Sequence, residues 1–188
     1  MDELIENFSV SGLSKSPGIF DENKMKWLNG EYIKELDFTT FMKYAQPYFE
    51  ASSIKGLYDY SKFGKLLQSR IEIFSEIAEK VDFITHFDKF DNELYFNKKL
   101  KIDYLKAKDV LEIIIPKLES LEFSEDNLHD VICKTAEAME LKSGVVYTVL
   151  RIALTGVQVT PGGSVELADI LGKDESIRRL KLSLSWLA

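Results

Sequence analysis

Leu150-Arg151-Ile152-Ala153-Leu154-Thr155-Gly156 is followed by Thr160-Pro161-Gly162-Gly163 and then by Ile170-Leu171-Gly172-Lys173. The first run reads as an apolar helix that stops at Gly156, because glycine adopts the left-handed backbone that closes a helix without steric cost. Thr160-Pro161 reads as the opening of a second helix, since threonine caps and proline is pre-set for the first helical turn. A polar loop between them would leave free backbone N–H groups beside Arg151, a site suited to an anion or to exposed nucleobases.

Outward from this unit the same helical spacing recurs. Towards the N-terminus, Asp21–Leu28 reads as a short helix stopped by Asn29-Gly30, with Trp27 as its buried aromatic. Asp37–Phe49 spaces Phe38, Phe41, Met42, Ala45 and Phe49 along one face, with Pro47 disturbing its end. Ser61 is the candidate cap of a longer helix whose stripe runs Phe63, Leu67, Arg70, Phe74, Ile77, Val81 and Ile84. Further helices are predicted at Tyr104–Leu121, Ser124–Leu141, Gly144–Leu154, Pro161–Leu171 and Asp174–Trp186. Val145–Val149 has β-type composition, but no sustained alternation of the kind a half-buried strand needs accompanies it. The predicted class is all-α, with the irregular His86–Lys101 stretch as a boundary between two abutting helical subdomains. The divisions are 1–35, 36–86 and 87–188.

A chain of 188 residues with 45% hydrophobic content can bury a core. Its 24 Lys and Arg against 31 Asp and Glu give a net charge of −7, which argues against non-specific, charge-driven nucleic-acid binding without excluding a local basic face. The one cysteine, Cys133, excludes an internal disulfide and a Cys-rich zinc site. His86 and His129 are isolated, so no metal site is expected. No stretch reaches the roughly 20 apolar residues that span a bilayer, and the first residues lack the pattern of a secretory signal. A cytoplasmic protein with no membrane partner is expected.

Two motifs carry a resemblance. Near the N-terminus, Ser14-Lys15-Ser16-Pro17 and Phe20-Asp21 precede Trp27-Leu28-Asn29-Gly30 and Tyr32-Ile33. Together with Leu150–Gly156 and Thr160–Gly163, in this order, they resemble the stem-contact and anticodon-binding regions of bacterial glutamyl-tRNA synthetases. From the residues alone, the first motif is a basic turn before a helix. The resemblance makes it part of the stem-contact segment, with Lys15, Lys24 and Lys26 as candidate phosphate contacts.

Arg70 stands out without any family, because a guanidinium on an apolar stripe is costly unless it is paired or serves a ligand. Its structural reading is that it snorkels to solvent or pairs with Glu72 or Glu76. The resemblance, anchored on Ala78-Glu79-Lys80, implies instead that Arg70 reads the third anticodon base. Arg151 has a structural reading too, as a cation in the last turn of a helix. The resemblance implies that Arg151, Thr160, Pro161, Gly162 and Gly163 contact the first two anticodon bases. Gly163-Ser164 stands where some relatives carry bulkier apolar residues. Phe74, Phe83 and Tyr147 read as core aromatics.

The chain contains neither the histidine-isoleucine-glycine-histidine type signature nor the lysine-methionine-serine-lysine loop of class I synthetases. The resemblance therefore implies the tRNA-holding part of a glutamate–tRNA ligase without an active site of its own. Its partners would be tRNA(Glu) and an N-terminal catalytic domain of the same parent polypeptide. ATP and Mg²⁺ are implied only for that domain, and no cofactor is expected in this chain. Met1 would then be an artificial start, and the protein a monomer. The rival reading is a helical protein-interaction module of the same fold that has lost RNA binding, a reading the acidic charge favours.

Overall fold

A computed structural model describes residues 2–12 and 20–187. Lys15 and the Ser14–Pro17 half of the first motif lie outside the described residues. The helices are α1 (Asp2–Asn7), α2 (Glu22–Glu35), α3 (Phe38–Glu50), α4 (Tyr60–Leu67), α5 (Glu76–Val81), α6 (Tyr104–Glu119), α7 (Glu125–Ala138), α8 (Ser143–Thr155), α9 (Ser164–Leu171) and α10 (Lys173–Trp186). Among the described residues the β-type pairing is a single antiparallel bridge, Asn97 with Ile102. The protein is all-α, and the valine-rich run 145–149 lies inside α8.

The helix starts follow local chemistry. Asp21, Asp37, Asp59, Asp103 and Ser124 each accept a hydrogen bond from a backbone N–H of the first turn that follows, which satisfies donors that a helix otherwise leaves orphaned. α8 ends at Gly156, whose φ of +70° is the left-handed closure expected of it. Pro47 is carried inside the last turn of α3, and the helix closes at Glu50.

Several expectations are corrected. Asn29-Gly30 does not stop α2, which continues to Glu35. Gly30 is buried, and a Cβ there would stand 3.2 Å from the Glu72 Cα. Its bareness lets α2 press against the Ile71–Glu72 turn, where the Asn29 side chain donates to the Glu72 carbonyl. Residues 20–29 are all exposed, so Trp27 is not a core residue: it is 54% exposed.

The long helix expected from Ser61 is two short ones. α4 is capped by Asp59 rather than Ser61, and it ends at Leu67. The chain then turns through 68–75 before α5. Gln68 holds this turn to α2 by donating to the Leu36 carbonyl at 2.7 Å. The break shifts the register by one: Ile71 is buried and Arg70 is exposed. Finally, α9 opens at Ser164, not Pro161, with Gly163 at its cap position.

α3 packs on α4 and α5, while α6, α7, α8, α9 and α10 pack on one another. The arginine that is truly buried is Arg179 on α10, 3% exposed. Its Nε donates to Glu175 Oε1 at 2.7 Å, its Nη1 to the Leu154 carbonyl at 3.0 Å and its Nη2 to the Ile84 carbonyl at 2.6 Å. The guanidinium also lies 4.6 Å from the Phe87 ring centroid. One side chain thereby ties α10 to the C-terminal end of α8 and to the turn after α5.

The same corner makes an acid-side prediction. Glu175 also receives two hydrogen bonds at 2.7 Å from Arg178. These bonds first, then those and the charge of Arg179, hold its carboxyl down to about 2 from the ordinary 4.5. A carboxyl with a depressed folded-state pKa contributes stability in full above about 4.5, and that contribution is lost as pH falls toward 2. Melting curves should therefore decline over this window, and Glu175→Gln should flatten the decline while lowering stability at neutral pH. An unchanged acid slope in the variant would remove Glu175 as its cause.

Candidate nucleic-acid interface

The segment between α8 and α9 is positioned by the C-terminal carbonyls of α8, which would otherwise be orphans. Gly156 N–H donates to the Ile152 carbonyl at 2.8 Å, Ser183 Oγ to Ala153 at 2.8 Å and Arg179 to Leu154 at 3.0 Å. The loop that leaves this fixed platform is itself tied down. Gln158 Nε2 donates to the Leu94 carbonyl at 2.8 Å, and Thr160 Oγ1 to the Gly162 carbonyl at 2.6 Å.

Arg70 faces this loop across a cleft of about 390 Å³ lined also by Glu79, Lys80, Phe83, Val157, Val159, Thr160 and Pro161. Its Nη1 donates to the Leu66 carbonyl at 2.6 Å, and among the described residues no acid pairs with it. A second cleft of about 260 Å³ on its other side is lined by Lys62, Lys65, Leu66, Glu125, Glu166, Asp169 and Ile170. Lys62 there pairs with Asp169 at 2.8 Å, and Lys80 in the first cleft sits 3.6 Å from Glu76.

Arg151 lies on the far side of the loop. It lines a cleft of about 220 Å³ with Leu94, Phe96, Asn97, Thr148, Ile152, Gln158 and Val159. Its Nε is fully buried without a hydrogen-bond partner. Leaving a buried donor unmade costs about 1–3 kcal/mol. Thus the Val157–Pro161 loop stands between two arginines, neither of them paired with an acid among the described residues. Val159, 87% exposed, belongs to both clefts.

Arg70, Thr160 and Pro161 are therefore brought together, and Arg151 is their neighbour across Val159. The two glycines are placed differently. Gly162 is buried against α4, where a Cβ would stand 2.7 Å from Leu66 Cδ1, so its bareness serves the packing of the loop. Gly163 lies under the Glu166 carboxylate, 2.7 Å from where its own Cβ would be. The helix N-terminus expected to receive an anion thus already has a carboxylate beside it. Lys24 and Lys26 are exposed on α2.

Sequence reasoning missed Val159, although two valines in the short polar loop after Gly156 were a legible signal. It also read Phe83 as core only. The ring packs against the core and lines the Arg70 cleft as well. Among the described residues no group of three or more His, Cys, Asp or Glu is placed to hold a metal ion, and no helix is long and apolar enough to cross a membrane.

Comparison with known proteins gives this geometry a family. The model of the anticodon binding domain matches residues 40–184. The chain is 40% identical over 188 residues to a glutamate–tRNA ligase of Clostridium botulinum, strain Hall, covering all of this chain and 39% of that protein. It is 42% identical over 191 residues to the glutamate–tRNA ligase of Clostridium novyi, again covering 39% of the relative. The chain thus spans about two-fifths of the length of these curated relatives. Among solved structures, a glutamate tRNA ligase from Elizabethkingia meningosepticum superposes with a TM-score of 0.80 at 22% identity, covering 100% of this chain and 37% of that one. The glutamate-tRNA synthetase of Elizabethkingia anophelis gives 0.77 at 23% identity, covering 98% and 36%. These two likenesses carry the fold. With the family model matching most of its length and its relatives matching all of it, the chain belongs to the anticodon-binding domain family, in the form found in glutamate–tRNA ligases.

Proposed function

We propose that this chain is the part of a glutamate–tRNA ligase that holds and selects tRNA(Glu) by its anticodon. The observation that carries the reading is the pair of adjoining clefts, each with an arginine whose donors lack an acidic partner, separated by one rigid loop. Anticodon bases are single-stranded and can be splayed, so their pairing edges are available to such donors. An arginine fork reads those edges by donor geometry. Residues 36–86 and 87–188 would form the two anticodon-binding subdomains and 1–35 the stem-contact segment, with Lys24 and Lys26 against phosphates. In the parent protein, which acts as a cytoplasmic monomer, a catalytic domain using ATP and Mg²⁺ would activate glutamate and transfer it to the tRNA. This chain supplies none of that chemistry and needs no cofactor.

The test is binding of the 188-residue chain to an RNA hairpin with the glutamate anticodon. Arg151→Ala should weaken binding by about 1–3 kcal/mol, roughly 5- to 150-fold in Kd. Its melting temperature should hold, since the buried Nε has no protein partner to lose. Substitutions at Thr160 and Pro161 should act in the same direction. The rival, a protein-interaction module, draws support from Glu79, Glu125, Glu166 and Asp169 around Arg70. It predicts no preference for this hairpin over one with a scrambled loop.

A further inference from the structure

The row of clefts does not end at Arg151. Phe96, a wall of the Arg151 cleft, is also a wall of a fourth cleft, about 570 Å³, lined with Asn92, Glu93, Asp103 and Tyr104. Phe96 is 57% exposed and Tyr104 47% exposed. Two large rings left in water contribute little to the fold, yet they face a cleft that adjoins the proposed RNA site across Phe96.

The segment that carries them is built to stay in place. Asn97 and Ile102 exchange two backbone hydrogen bonds of 3.0 Å, and the Asn97 side chain accepts the Leu100 N–H at 3.1 Å. Tyr95 and Ile102, on either side of the turn, are buried. What this rigid turn offers to solvent is Lys98, Lys99 and Lys101, all exposed, and among the described residues none of them is in an ion pair. In a chain of net charge −7, three open lysines on one turn are the feature that composition would not have led one to expect.

We propose that the 95–104 turn forms an additional nucleotide subsite beyond the Arg151 cleft, an inference that rests on the RNA-binding reading above. The base of a loop nucleotide next to those held by the arginines stacks on Phe96 and Tyr104. Its phosphate neighbours lie against Lys98, Lys99 and Lys101. Stacking on an aromatic ring tolerates any base, because every base has a π-face. This subsite therefore adds affinity and holds the loop open, while sequence discrimination stays with Arg70 and Arg151. Phe96 and Val159 divide neighbouring clefts, and each provides an apolar edge of the kind that keeps successive bases unstacked.

The experiment measures the Kd of the full 188-residue chain for the fluorescently labelled glutamate anticodon hairpin, over a range of salt. Phe96→Ala and Tyr104→Ala should each weaken binding, by roughly 5- to 150-fold where a base is fully stacked. Neither should change the melting curve, since both rings are exposed. The combined variant Lys98→Ala, Lys99→Ala, Lys101→Ala should bind with a shallower salt dependence, because fewer counterions are released. With 2-aminopurine replacing loop bases in turn, one position should change its fluorescence on binding in a way that Phe96→Ala abolishes. If Arg151→Ala weakens binding while Phe96→Ala and Tyr104→Ala bind as the parent does, the subsite is overturned and the aromatic cleft passes to a protein partner. If the unaltered chain shows no preference for the hairpin, the RNA reading itself falls, and the subsite with it.

Discussion

Arg179→Ala should be among the most damaging single substitutions in the chain, lowering the melting temperature by about 6–20 °C, from roughly 3–5 kcal/mol for breaking a buried charged network at about 2–4 °C per kcal/mol for a protein of this size. The size follows from what is left behind. Without the guanidinium, the Leu154 and Ile84 carbonyls lose their donors inside the protein, and Glu175 keeps only the more exposed Arg178. Water cannot enter readily to replace them, and unmade buried hydrogen bonds carry the full desolvation cost. Arg179→Lys keeps the charge but cannot span three acceptors with one ammonium, so it should recover only part of the loss. Thermal melts followed by circular dichroism decide the matter. A drop of only a degree or two for Arg179→Ala would mean that the corner is wetter or more adaptable than its geometry implies.

The effect should also reach the interface. Arg179 fixes the end of α8, and the Val157–Pro161 loop departs from that end to separate the Arg70 and Arg151 clefts. A loosened platform should therefore lower RNA affinity as well, without any change in which base is preferred. Arg179 is a positioning residue in this sense, since it lines none of the clefts.

Why one arginine was singled out from the sequence and another proved to be buried is a matter of register. The spacing Phe63, Leu67, Arg70, Phe74 assumed an unbroken helix. Nothing between Gln68 and Ser75 announces a break, as there is no glycine or proline there. The turn is specified by tertiary contacts instead: Gln68 on the Leu36 carbonyl and the bare face of Gly30 against Ile71 and Glu72. Ile71 therefore takes the inward position and Arg70 turns to the cleft. On α10 the reverse error occurs. Its inward residues are Ser176, Arg179, Leu180 and Ser183, which hydrophobic periodicity reads as a polar face because their burial is sustained by hydrogen bonds.

Signals that depend on local chemistry transferred well. The helix starts read at Asp21, Asp37 and Ser124 and the stop read at Gly156 are each satisfied within a few residues of chain. Thr160 and Pro161 misled about the start of α9, because the threonine hydroxyl donates to the Gly162 carbonyl rather than capping N–H groups ahead of it. The aromatic turn at 95–104 was legible only as irregular. Its exposed rings acquire meaning from the clefts they border, and those are assembled from segments distant in sequence.

Arg70→Gln should narrow the preference between cytosine and guanine at the third anticodon position by about 1–3 kcal/mol, roughly 5- to 150-fold. One arm of the fork is committed to the Leu66 carbonyl at 2.6 Å. The remaining N–H groups have no protein acceptor among the described residues and lie in a cleft with Thr160, Pro161 and the carboxylate of Glu79. A cytosine presents adjacent acceptors to the fork and an amino group to a carboxylate. Glutamine has one donor group and one acceptor, no charge and a shorter reach, so it can satisfy either base about equally and favours neither. Because Arg70 is exposed and unpaired with an acid, the substitution should shift stability by no more than about 0.5 kcal/mol. Hairpins that differ only in the third anticodon base, titrated against both forms of the chain, provide the measurement. With the catalytic domain restored, charging of glutamate and glutamine tRNAs should narrow in parallel. A large fall in melting temperature with the base preference intact would instead return Arg70 to a structural role, as the partner that closes the end of α4.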